Sequence, residues 1–411
     1  MTRRCVWRQP LFLTRNSRDD ARLHWFRRTK GVTGLVAAAV VLLLVSACDG
    51  AHVPESRAKD APAAGQQITF FPSPASQSDD GESLLLRVQG RVFEPTARNP
   101  LRRDLIEEVG IVSGLTEEEK ASSLFQQRAG YFLSDSAGGE RVSIRIGDRT
   151  FRLPASDKGG YFTAQISLAQ ADAVKLTKDG VISFQSARTS TNATTFTGQD
   201  VVVPEQGVSI VTDMDDTIKD THVLDRKEML KNTFVRPFVA VGGMPELYRS
   251  WKETFGSRIQ FHVVSAGPWQ LNEPLRQFTQ DAGFPPFTWH MRSVDINVGN
   301  LGELTAKPYD FKVPAIEELM KLFPKRRFVC VGDSGEQDPE VYSKILSEFP
   351  DRVDAVFIRD VTGQGQSDVR YRKLFTDAAA TKFYVFHEAK DVPALATLVR
   401  LQVRSTARPN D

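Results

Sequence analysis

The sequence predicts an α/β fold with a parallel sheet, preceded by a smaller β-rich domain. From residue 206 onward, short apolar runs alternate with amphipathic stretches, which indicates strands and helices in turn. The strands are almost continuously apolar, as expected of a parallel sheet covered by helices on both faces. Before residue 203 the runs alternate with period two and are separated by Gly-Gly and Asp-Gly pairs. We therefore predict a β-rich domain over 81–203 and an α/β domain over 204–405.

Each predicted element follows from these patterns. In the β-rich domain, which we expect to be a small β-sandwich, the strands are 84–93, 141–153, 161–168, 181–186 and 194–203, with one amphipathic helix at 116–128. In the α/β domain the predicted strands are 208–212, 259–264, 327–331, 355–358 and 382–386. Helices are predicted at 244–254, 268–282, 313–322, 339–348 and 392–401.

Residues 1–48 have the features of an export signal. A basic stretch ending at Lys30 precedes an apolar run over 32–45, and Ser46-Ala47-Cys48 follows. This order defines a bacterial secretory signal, and a cysteine after small residues resembles the lipobox of bacterial lipoproteins. We expect an exported, membrane-anchored lipoprotein in the periplasm or on the outer cell surface, lipidated at Cys48. An uncleaved anchor and plain secretion are the alternatives.

The rest of the chain is mildly acidic. Residues 1–47 hold nine Lys and Arg against two Asp, so 44 basic and 49 acidic residues remain, a balance of −5. This leaves no general basic footprint for nucleic acid, which we exclude as a partner. Cys330 lies in an apolar run and is expected to be an inert buried thiol. No repeat or heptad predicts an oligomer.

Residues 49–80 are rich in Ala, Pro, Ser, Gly and Asp. Such a composition buries little apolar surface and is typical of a disordered linker. We therefore predict that this segment connects a membrane anchor to the folded body.

Acidic residues follow the first strand of the α/β domain. Asp213, Asp215 and Asp216 come directly after the apolar run at 208–212. Carboxylates there are costly to desolvate unless a cation meets them, and all-oxygen ligands favour Mg²⁺. Asp213 and Asp215 project to the same side of an extended chain, so one could attack while the other transfers protons.

Two further polar side chains are placed to meet an anion. Ser265 ends the second strand before Gly-Pro, where its hydroxyl and the following helix N-terminus could donate to a phosphate oxygen. Lys312 stands at the start of a predicted helix, with Lys307 and Lys219 as rival cations. Ligands of parallel sheets bind beyond the carboxyl ends of the strands, so these groups are expected to face one cleft.

The strand at 327–331 leads into an acidic, glycine-containing loop at 332–338. Asp333 and Asp338 lie in this loop, although Asp338 could simply cap the next helix. His222, His262 and His290 are expected to be structural residues, with His262 in the core.

These motifs, in this order and at strand ends, resemble the phosphatases of the haloacid-dehalogenase (HAD) superfamily. The longer strings DMDDTIKDT at 213–221, SAGPWQL at 265–271 and FPKRRFVCVGDSGEQDPEVY at 323–342 narrow the resemblance. They are similar to the catalytic domain of the phosphatidate phosphatases first known as a fungal actin-patch protein. The similarity covers roughly 204–390 and, more faintly, the β-rich region. It implies a HAD-like, Rossmann-type three-layer domain.

The resemblance implies a catalytic role for five residues. Asp213 would be the nucleophile that forms an aspartyl-phosphate, and Asp215 would protonate the leaving oxygen and then activate water. Thr217 and Ser265 would orient the phosphoryl group. Lys312 would neutralise the phosphoryl oxygens and restrain the nucleophile.

The same resemblance implies a Mg²⁺ site. The ligands would be Asp213, the backbone carbonyl of Asp215, and Asp333, with Asp338 in support. Asp216 is expected to organise the loop instead of reacting.

The leading hypothesis is therefore a phosphatase that converts phosphatidate, a phospholipid, to diacylglycerol beside the membrane that holds its anchor. The stretches between the motifs are short, so no large cap domain need close over the site. One alternative is an exported phosphatase for soluble phosphomonoesters or phosphoproteins. An apolar groove beside the site would favour the lipid substrate, and a closed polar pocket would favour this alternative. Another is a membrane-tethered binding scaffold with a vestigial catalytic domain, although the reactive carboxylates are present.

Overall fold

The computed structural model describes residues 59–95, 107, 110–111, 114–294 and 308–399. These residues belong to one compact unit that spans Gly50–Asp411. The predicted export segment at 1–48 lies outside the described residues. Within the described ranges, no helix combines the length and hydropathy needed to cross a bilayer.

The β-rich region is built on one mixed, nine-stranded sheet. Its strands are β1 (Gln67–Phe71), β2 (Ser73–Gln77), β3 (Ser83–Glu94), β4 (Asp135–Ser136), β5 (Arg141–Ile146), β6 (Arg149–Ala155), β7 (Tyr161–Ala169), β8 (Val181–Ser186) and β9 (Thr197–Val202). The order is β1-β3-β2-β9-β8-β5-β6, with β4 and β7 also paired to β3. The described helices here are α1 (Glu117–Ala121), α2 (Ser123–Leu133) and α3 (Gln170–Leu176).

The linker predicted over 49–80 is wrong for residues 67–77, which form β1 and β2. The composition of the whole segment concealed a short apolar run, because Ile68 and Phe70 are buried in the core of the β-rich region. β1 pairs antiparallel with β3, and β2 pairs in parallel with β9. The folded body therefore begins before residue 81.

Two other predictions for this region change in detail. The single strand predicted at 141–153 is a hairpin of β5 and β6, because Gly147 adopts a positive φ of 56° at the turn. The helix predicted at 116–128 is interrupted at Ser122, which ends α1 and caps α2. Thr116 caps α1 in a capping box with Glu119.

The α/β domain holds a six-stranded, fully parallel sheet, as the apolar strands predicted. Its strands are β10 (Gly207–Thr212), β11 (Ile259–Pro268), β12 (Phe287–Arg292), β13 (Arg326–Asp333), β14 (Val353–Arg359) and β15 (Phe383–Phe386), in the order β12-β11-β10-β13-β14-β15. The helices are α4 (Arg226–Phe234), α5 (Met244–Phe255), α6 (Asn272–Asp281), α7 (Pro308–Leu322), α8 (Asp338–Glu348), α9 (Val369–Leu374), α10 (Asp377–Ala380) and α11 (Leu395–Leu398).

Helices cover both faces of this sheet. Along β10 the buried side chains alternate, so Ile210 packs against one core and Val211 against the other. The first core contains Tyr248 and Trp251 of α5, and the second contains residues of α7 and α8 such as Ile316 and Ile345. Cys330 is buried in the second core as predicted, and burial raises the pKa of its thiol. The domain therefore has an α/β/α layering that places all strand ends on two opposite edges.

The β-rich region lies against the edge strand β12. The Trp289 amide donates a hydrogen bond to the Pro72 carbonyl at 3.0 Å. Phe71 stacks on Trp269 with ring centroids 4.0 Å apart and joins the core of the α/β domain. Sequence patterns did not predict β12, because Thr288, His290 and other polar residues interrupt its apolar run.

Candidate active site

The predicted site residues lie together at the carboxyl ends of three adjacent strands. Asp213 follows β10, Ser265 lies near the end of β11, and Asp333 ends β13. Hydrogen bonds fix this edge, since the Asp213 amide donates to the Val331 carbonyl at 2.9 Å. The arrangement is the one expected for parallel strands, whose carboxyl ends meet at one edge of the sheet.

Lys312 reaches this edge from α7. Its Nζ lies 2.8 Å from Asp213 Oδ1, 2.6 Å from Asp338 Oδ1 and 3.6 Å from Glu336 Oε2. The side chain of Lys312 is buried, and so are those of Asp213 and Asp338. The rival Lys219 contacts Asp215 instead, and Lys307 lies outside the described residues. Lys312 is therefore the buried cation that restrains Asp213.

Three carboxylates are close enough to share a cation. Oxygen atoms of Asp213, Asp333 and Asp338 all lie within 4.8 Å of one another. Asp213 Oδ2 and Asp333 Oδ2 are buried and accept no hydrogen bond from any described residue. Buried polar atoms are rarely left unpaired without a reason, and a set of carboxylate oxygens suits Mg²⁺. The residues present therefore fit a magnesium ion.

The directions of the pKa shifts in this cluster also support a bound cation. Burial raises the pKa of Asp213 and of Asp333 well above the usual range, and Lys312 only partly opposes the increase. Burial lowers the pKa of Lys312, but the carboxylates around it, chiefly Asp213, raise it further than burial lowers it. One ammonium therefore does not balance the buried carboxylates, and a divalent cation would restore the balance.

Close packing brings Asp338 to this cluster. A Cβ at Gly332 would collide with the Asp338 carboxylate, so the strand end needs glycine there. Asp338 Oδ2 accepts a hydrogen bond from the Asp333 amide at 3.2 Å. Asp338 begins α8, but its side chain faces Lys312 rather than serving only as a helix cap.

Asp216 organises the loop after β10, as expected. Its carboxylate accepts hydrogen bonds from the amides of Thr221, His222 and Val223 at 2.8, 2.9 and 2.7 Å. Arg359 of β14 donates to the Asp216 carbonyl at 2.8 Å. Asp216 and His222 both have positive φ values, 50° and 64°. Such conformations cost roughly 1–2 kcal/mol per residue, so the contacts around the site hold this loop in place.

Asp215 has a different environment from Asp213. Its Oδ1 lies 2.8 Å from Lys219 Nζ and accepts a hydrogen bond from the Thr221 hydroxyl at 2.7 Å. Burial raises the pKa of Asp215, but Lys219, Thr221 and Lys312 together lower it further, so the net direction is downward. The Asp215 side chain is 28% exposed, whereas that of Asp213 is only 2% exposed. Asp215 can therefore meet both a substrate oxygen and a water molecule.

Two hydroxyl groups complete the predicted set. Thr217 is buried, and its Oγ1 has no hydrogen-bond partner among the described residues. Ser265 is also buried and accepts a hydrogen bond from the Gly267 amide at 3.1 Å. Each hydroxyl keeps a proton for donation. Both could therefore donate to an oxygen of a bound anion.

An apolar cavity opens beside these polar groups. Asp215, Lys219, Ser265 and Glu336 form its polar side. The apolar wall comes mainly from α4, α6 and the loops near them, and consists of Val223, Met229, Leu230, Phe234, Phe238, Ala266, Pro268, Leu271, Leu275 and Pro308. The site therefore combines a carboxylate cluster with a neighbouring apolar cleft. The cavity therefore matches the apolar groove expected for a lipid substrate. It does not match the closed polar pocket expected for a soluble phosphomonoester.

Sequence comparisons bear on this domain. Residues 208–360 match the family model of the catalytic domain of phosphatidate phosphatase APP1. The chain is 32% identical over 160 residues to phosphatidate phosphatase APP1 of Saccharomyces cerevisiae, which covers 38% of this chain and 26% of the yeast protein. It is 29% identical over 167 residues to an uncharacterised protein of Schizosaccharomyces pombe, covering 39% of this chain and 26% of that protein. The resemblance to an APP1-type phosphatase catalytic domain is confirmed.

The chain spans about a quarter of the length of these curated relatives. Among solved structures, a β-glucuronidase of Parabacteroides merdae aligns over 72% of this chain and 35% of its own, at 9% identity and a TM-score of 0.25. That score is too low to support any argument about fold or function.

The α/β domain contains residues beside the candidate site that the sequence patterns did not predict. Lys219 was considered only as a rival of Lys312, although its spacing of four residues from Asp215 could have suggested the ion pair. Arg370 of α9 donates to the carbonyls of Ser334 and Glu336, each at 2.7 Å, and so fixes the loop after β13. No local pattern connects Arg370 with that loop, because the contact spans more than thirty positions of the chain.

Proposed function

We propose that the protein is a Mg²⁺-dependent phosphatase of the HAD type that removes phosphate from phosphatidate and leaves diacylglycerol. One observation supports this proposal most strongly. Asp215, two residues from the carboxylate cluster at Asp213, lines a cavity whose wall is apolar, so phosphate and hydrocarbon can be bound side by side. The family match and the similarity to the yeast phosphatidate phosphatase support the same substrate class.

In the proposed first step, a carboxylate oxygen of Asp213 attacks the phosphorus atom. A bond forms between phosphorus and Asp213, and the bond from phosphorus to the diacylglycerol oxygen breaks. Asp215 acts here in its protonated form, which loss of its contact with Lys219 would favour, and gives its proton to that leaving oxygen. Asp213 is placed for this role because Lys312 holds one of its oxygens while the other is free of described partners.

In the second step, water attacks the phosphorus of the aspartyl-phosphate. Asp215 accepts the proton of that water, inorganic phosphate leaves, and the Asp213 carboxylate is restored. Lys312, Thr217 and Ser265 stabilise the charge on the phosphoryl oxygens by ion pairing and hydrogen bonding. Phosphoryl transfer depends mainly on such positioning and charge neutralisation.

Asp213 and Asp333 would hold the magnesium ion together with the Asp215 carbonyl, and Asp338 would support it. When bound, the ion supplies positive charge that offsets the phosphate and the carboxylates. The lipid anchor predicted at Cys48, and export to the cell envelope, belong to the same proposal. They would keep the site beside the membrane that contains the substrate.

The test is phosphate release by the full chain from dioleoyl-phosphatidate in detergent micelles, with para-nitrophenyl phosphate in parallel. Each assay is run with Mg²⁺ and with EDTA. Asp213→Asn is the blank, and Asp220→Asn makes the same charge change in the same segment, outside the carboxylate cluster. Mg²⁺-dependent release that favours the lipid and is lost only in Asp213→Asn supports the proposal. Release only from the soluble ester favours the exported phosphatase for soluble phosphomonoesters, and no release favours the membrane-tethered binding scaffold.

A further inference from the structure

We propose that the turn at 222–227, together with Val239, inserts into an anionic lipid bilayer and positions the apolar cavity over the membrane surface. We refer to these residues as the docking tip. The inference rests on the proposed function, because a phosphatase for a membrane lipid must meet its substrate at the bilayer. It adds a surface and a partner, a lipid bilayer, to the catalytic site.

The first observation is where exposed apolar side chains occur. Among the described residues, the large hydrophobic side chains with high exposure are Ile111, Val174, Leu224, Val239 and Val369. Leu224 is 61% exposed and directly follows Val223, which lines the cavity. Val239 is 59% exposed and directly follows Phe238, which also lines it. The apolar surface of the cavity therefore continues outward at its rim.

The second observation is that the two parts of the docking tip are joined. The Asp220 amide donates a hydrogen bond to the Val239 carbonyl at 2.8 Å, and Lys219 and Ala240 form a β-bridge. The segments that carry Leu224 and Val239 thus leave the site side by side. Leu224 and Val239 therefore lie on neighbouring segments, each next to a residue that lines the cavity.

The third observation is that the tip is held rigidly. The Asp216 carboxylate accepts three backbone hydrogen bonds from residues 221–223, and the Asp225 side chain caps α4. A flexible turn could fold its leucine inward, but this turn keeps Leu224 outside. Exposed apolar side chains beside a binding cleft mark interaction sites. Asp216 therefore connects the loop after Asp213 with the docking tip.

The fourth observation is the charge of the docking tip, which is net +1 because Arg226 and Lys227 outweigh the exposed Asp225. Arg226 and Lys227 are exposed at the first turn of α4, and neither forms an ion pair with a described residue. Cations are unfavourable at a helix N-terminus because of the helix dipole. Arg226 and Lys227 therefore do not stabilise α4. Basic residues next to an inserting apolar side chain instead attract anionic lipid headgroups. A bilayer therefore satisfies both the apolar and the cationic parts of the tip, which a neutral apolar protein groove would not.

The direct test places an environment-sensitive dye at the tip. Leu224→Cys and Val239→Cys are made in the full chain with Asp213→Asn, and labelled with a nitrobenzoxadiazole maleimide. Val174→Cys and Val369→Cys are the matched controls, because they are equally exposed apolar sites away from the cavity. The labelled parent chain corrects for its own cysteines. Vesicles contain equimolar phosphatidylcholine and phosphatidylglycerol.

We expect a blue shift and an increase in emission at positions 224 and 239 when vesicles are added, and none at 174 and 369. The measurement is local, so an anchor elsewhere in the chain does not produce it. Unchanged emission at 224 and 239 overturns the proposal and leaves a protein partner as the occupant of the tip. A shift at all four positions also overturns it, because it indicates non-specific adsorption.

A kinetic test separates docking from catalysis. For Leu224→Asp/Val239→Asp, we expect the ratio of the rate on phosphatidate vesicles to the rate on para-nitrophenyl phosphate to fall about tenfold, as for the loss of one buried aliphatic side chain. Val174→Asp/Val369→Asp should leave the ratio unchanged. Equal losses on both substrates would overturn the docking role. Absence of any phosphate release would refute the proposed function but not the dye result, which needs no catalysis.

Discussion

The two ends of the parallel sheet differ in how fully their buried polar groups are hydrogen-bonded. At the amino end, Arg326 is 1% exposed and donates to the carbonyls of Pro204, Gln206, Val208 and Arg258, and to the Ser209 hydroxyl. Every donor nitrogen of its guanidinium has a partner. A buried cation without a carboxylate is tolerated here because five oxygen dipoles surround it.

His262, which shares the Ser209 hydroxyl with Arg326, also has both ring nitrogens hydrogen-bonded. His262 contacts the Thr288 hydroxyl at 2.7 Å through Nδ1 and the Ser209 hydroxyl at 3.0 Å through Nε2. It is a core side chain, as predicted. Burial lowers its pKa well below the usual range, so the ring is neutral in the folded protein.

At the carboxyl end the opposite holds. Asp213, Thr217 and Asp333 each keep a buried oxygen that has no hydrogen-bond partner among the described residues. Asp213, Thr217 and Asp333 thus gather unpaired oxygens at the carboxyl edge, which the proposed function makes the reactive edge, whereas the paired Arg326 and His262 stabilise the fold. Changes at the first edge should affect turnover and metal binding, and changes at the second should affect stability.

The largest effect is expected for Asp213→Asn. Loss of the nucleophile should lower kcat by roughly 10⁴-fold or more, because an amide oxygen does not form the covalent intermediate. Phosphate release and urea unfolding are measured on the same preparation. The variant should still unfold in a cooperative urea transition, because Lys312 keeps its ion pair with Asp338. A variant that retains a tenth of the activity would contradict the assignment of the reactive edge.

Arg326→Met should mainly affect stability. It leaves buried carbonyls without a donor, and we expect the free energy of unfolding to fall by about 3 kcal/mol. Lys325→Met is the matched control, since Lys325 directly precedes Arg326 and pairs with Glu205 at the surface. That control should lose about 1 kcal/mol or less. Equal losses in urea unfolding would remove the distinction between the two ends.

Magnesium should stabilise the protein through the reactive edge. At a concentration about 100 times its dissociation constant, the ion should raise the free energy of unfolding by about 2.7 kcal/mol. Urea titrations with and without Mg²⁺ measure this gain. Asp333→Asn should abolish most of it, and Asp220→Asn should not. The same gain in Asp333→Asn would show that the ion binds elsewhere.

A smaller effect is expected from pH. Burial lowers the pKa of His290 to about 3, while its unfolded value is about 6.5. The unfolded chain therefore binds more protons between these values, and stability is lost as the pH falls below about 6.5. His290→Phe should reduce the fall in unfolding free energy between about pH 7 and about pH 5 by roughly 2 kcal/mol. An unchanged fall would indicate that His290 is solvated.

Sequence patterns predicted the features that depend on local order. The apolar strands β10, β11 and β13 and the residues directly after them follow from periodicity. Contacts between distant segments could not be predicted in this way. The cavity wall is an example, because α4 and α6 meet only in the folded domain. Lys219 and the positive φ of Asp216 likewise depend on the three-dimensional course of the loop.

The linker prediction failed at β1 and β2 because these strands also depend on contacts with distant segments. A strand of five residues in a Pro-rich stretch gains its stability from its partners, β3 and β9, rather than from its own composition. Its identity is therefore decided by tertiary pairing. The same holds for β12, which depends on β11 and on the Pro72 carbonyl.

The contact between Pro72 and Trp289 also bears on the solubility of shortened proteins. An enzyme trimmed to begin at residue 204 would leave the amide groups of β12 open to strand addition from other molecules. It would also uncover the face of Trp269 that Phe71 stacks on. Fragments that retain the segment from residue 59 onward should stay monodisperse where the isolated catalytic domain precipitates.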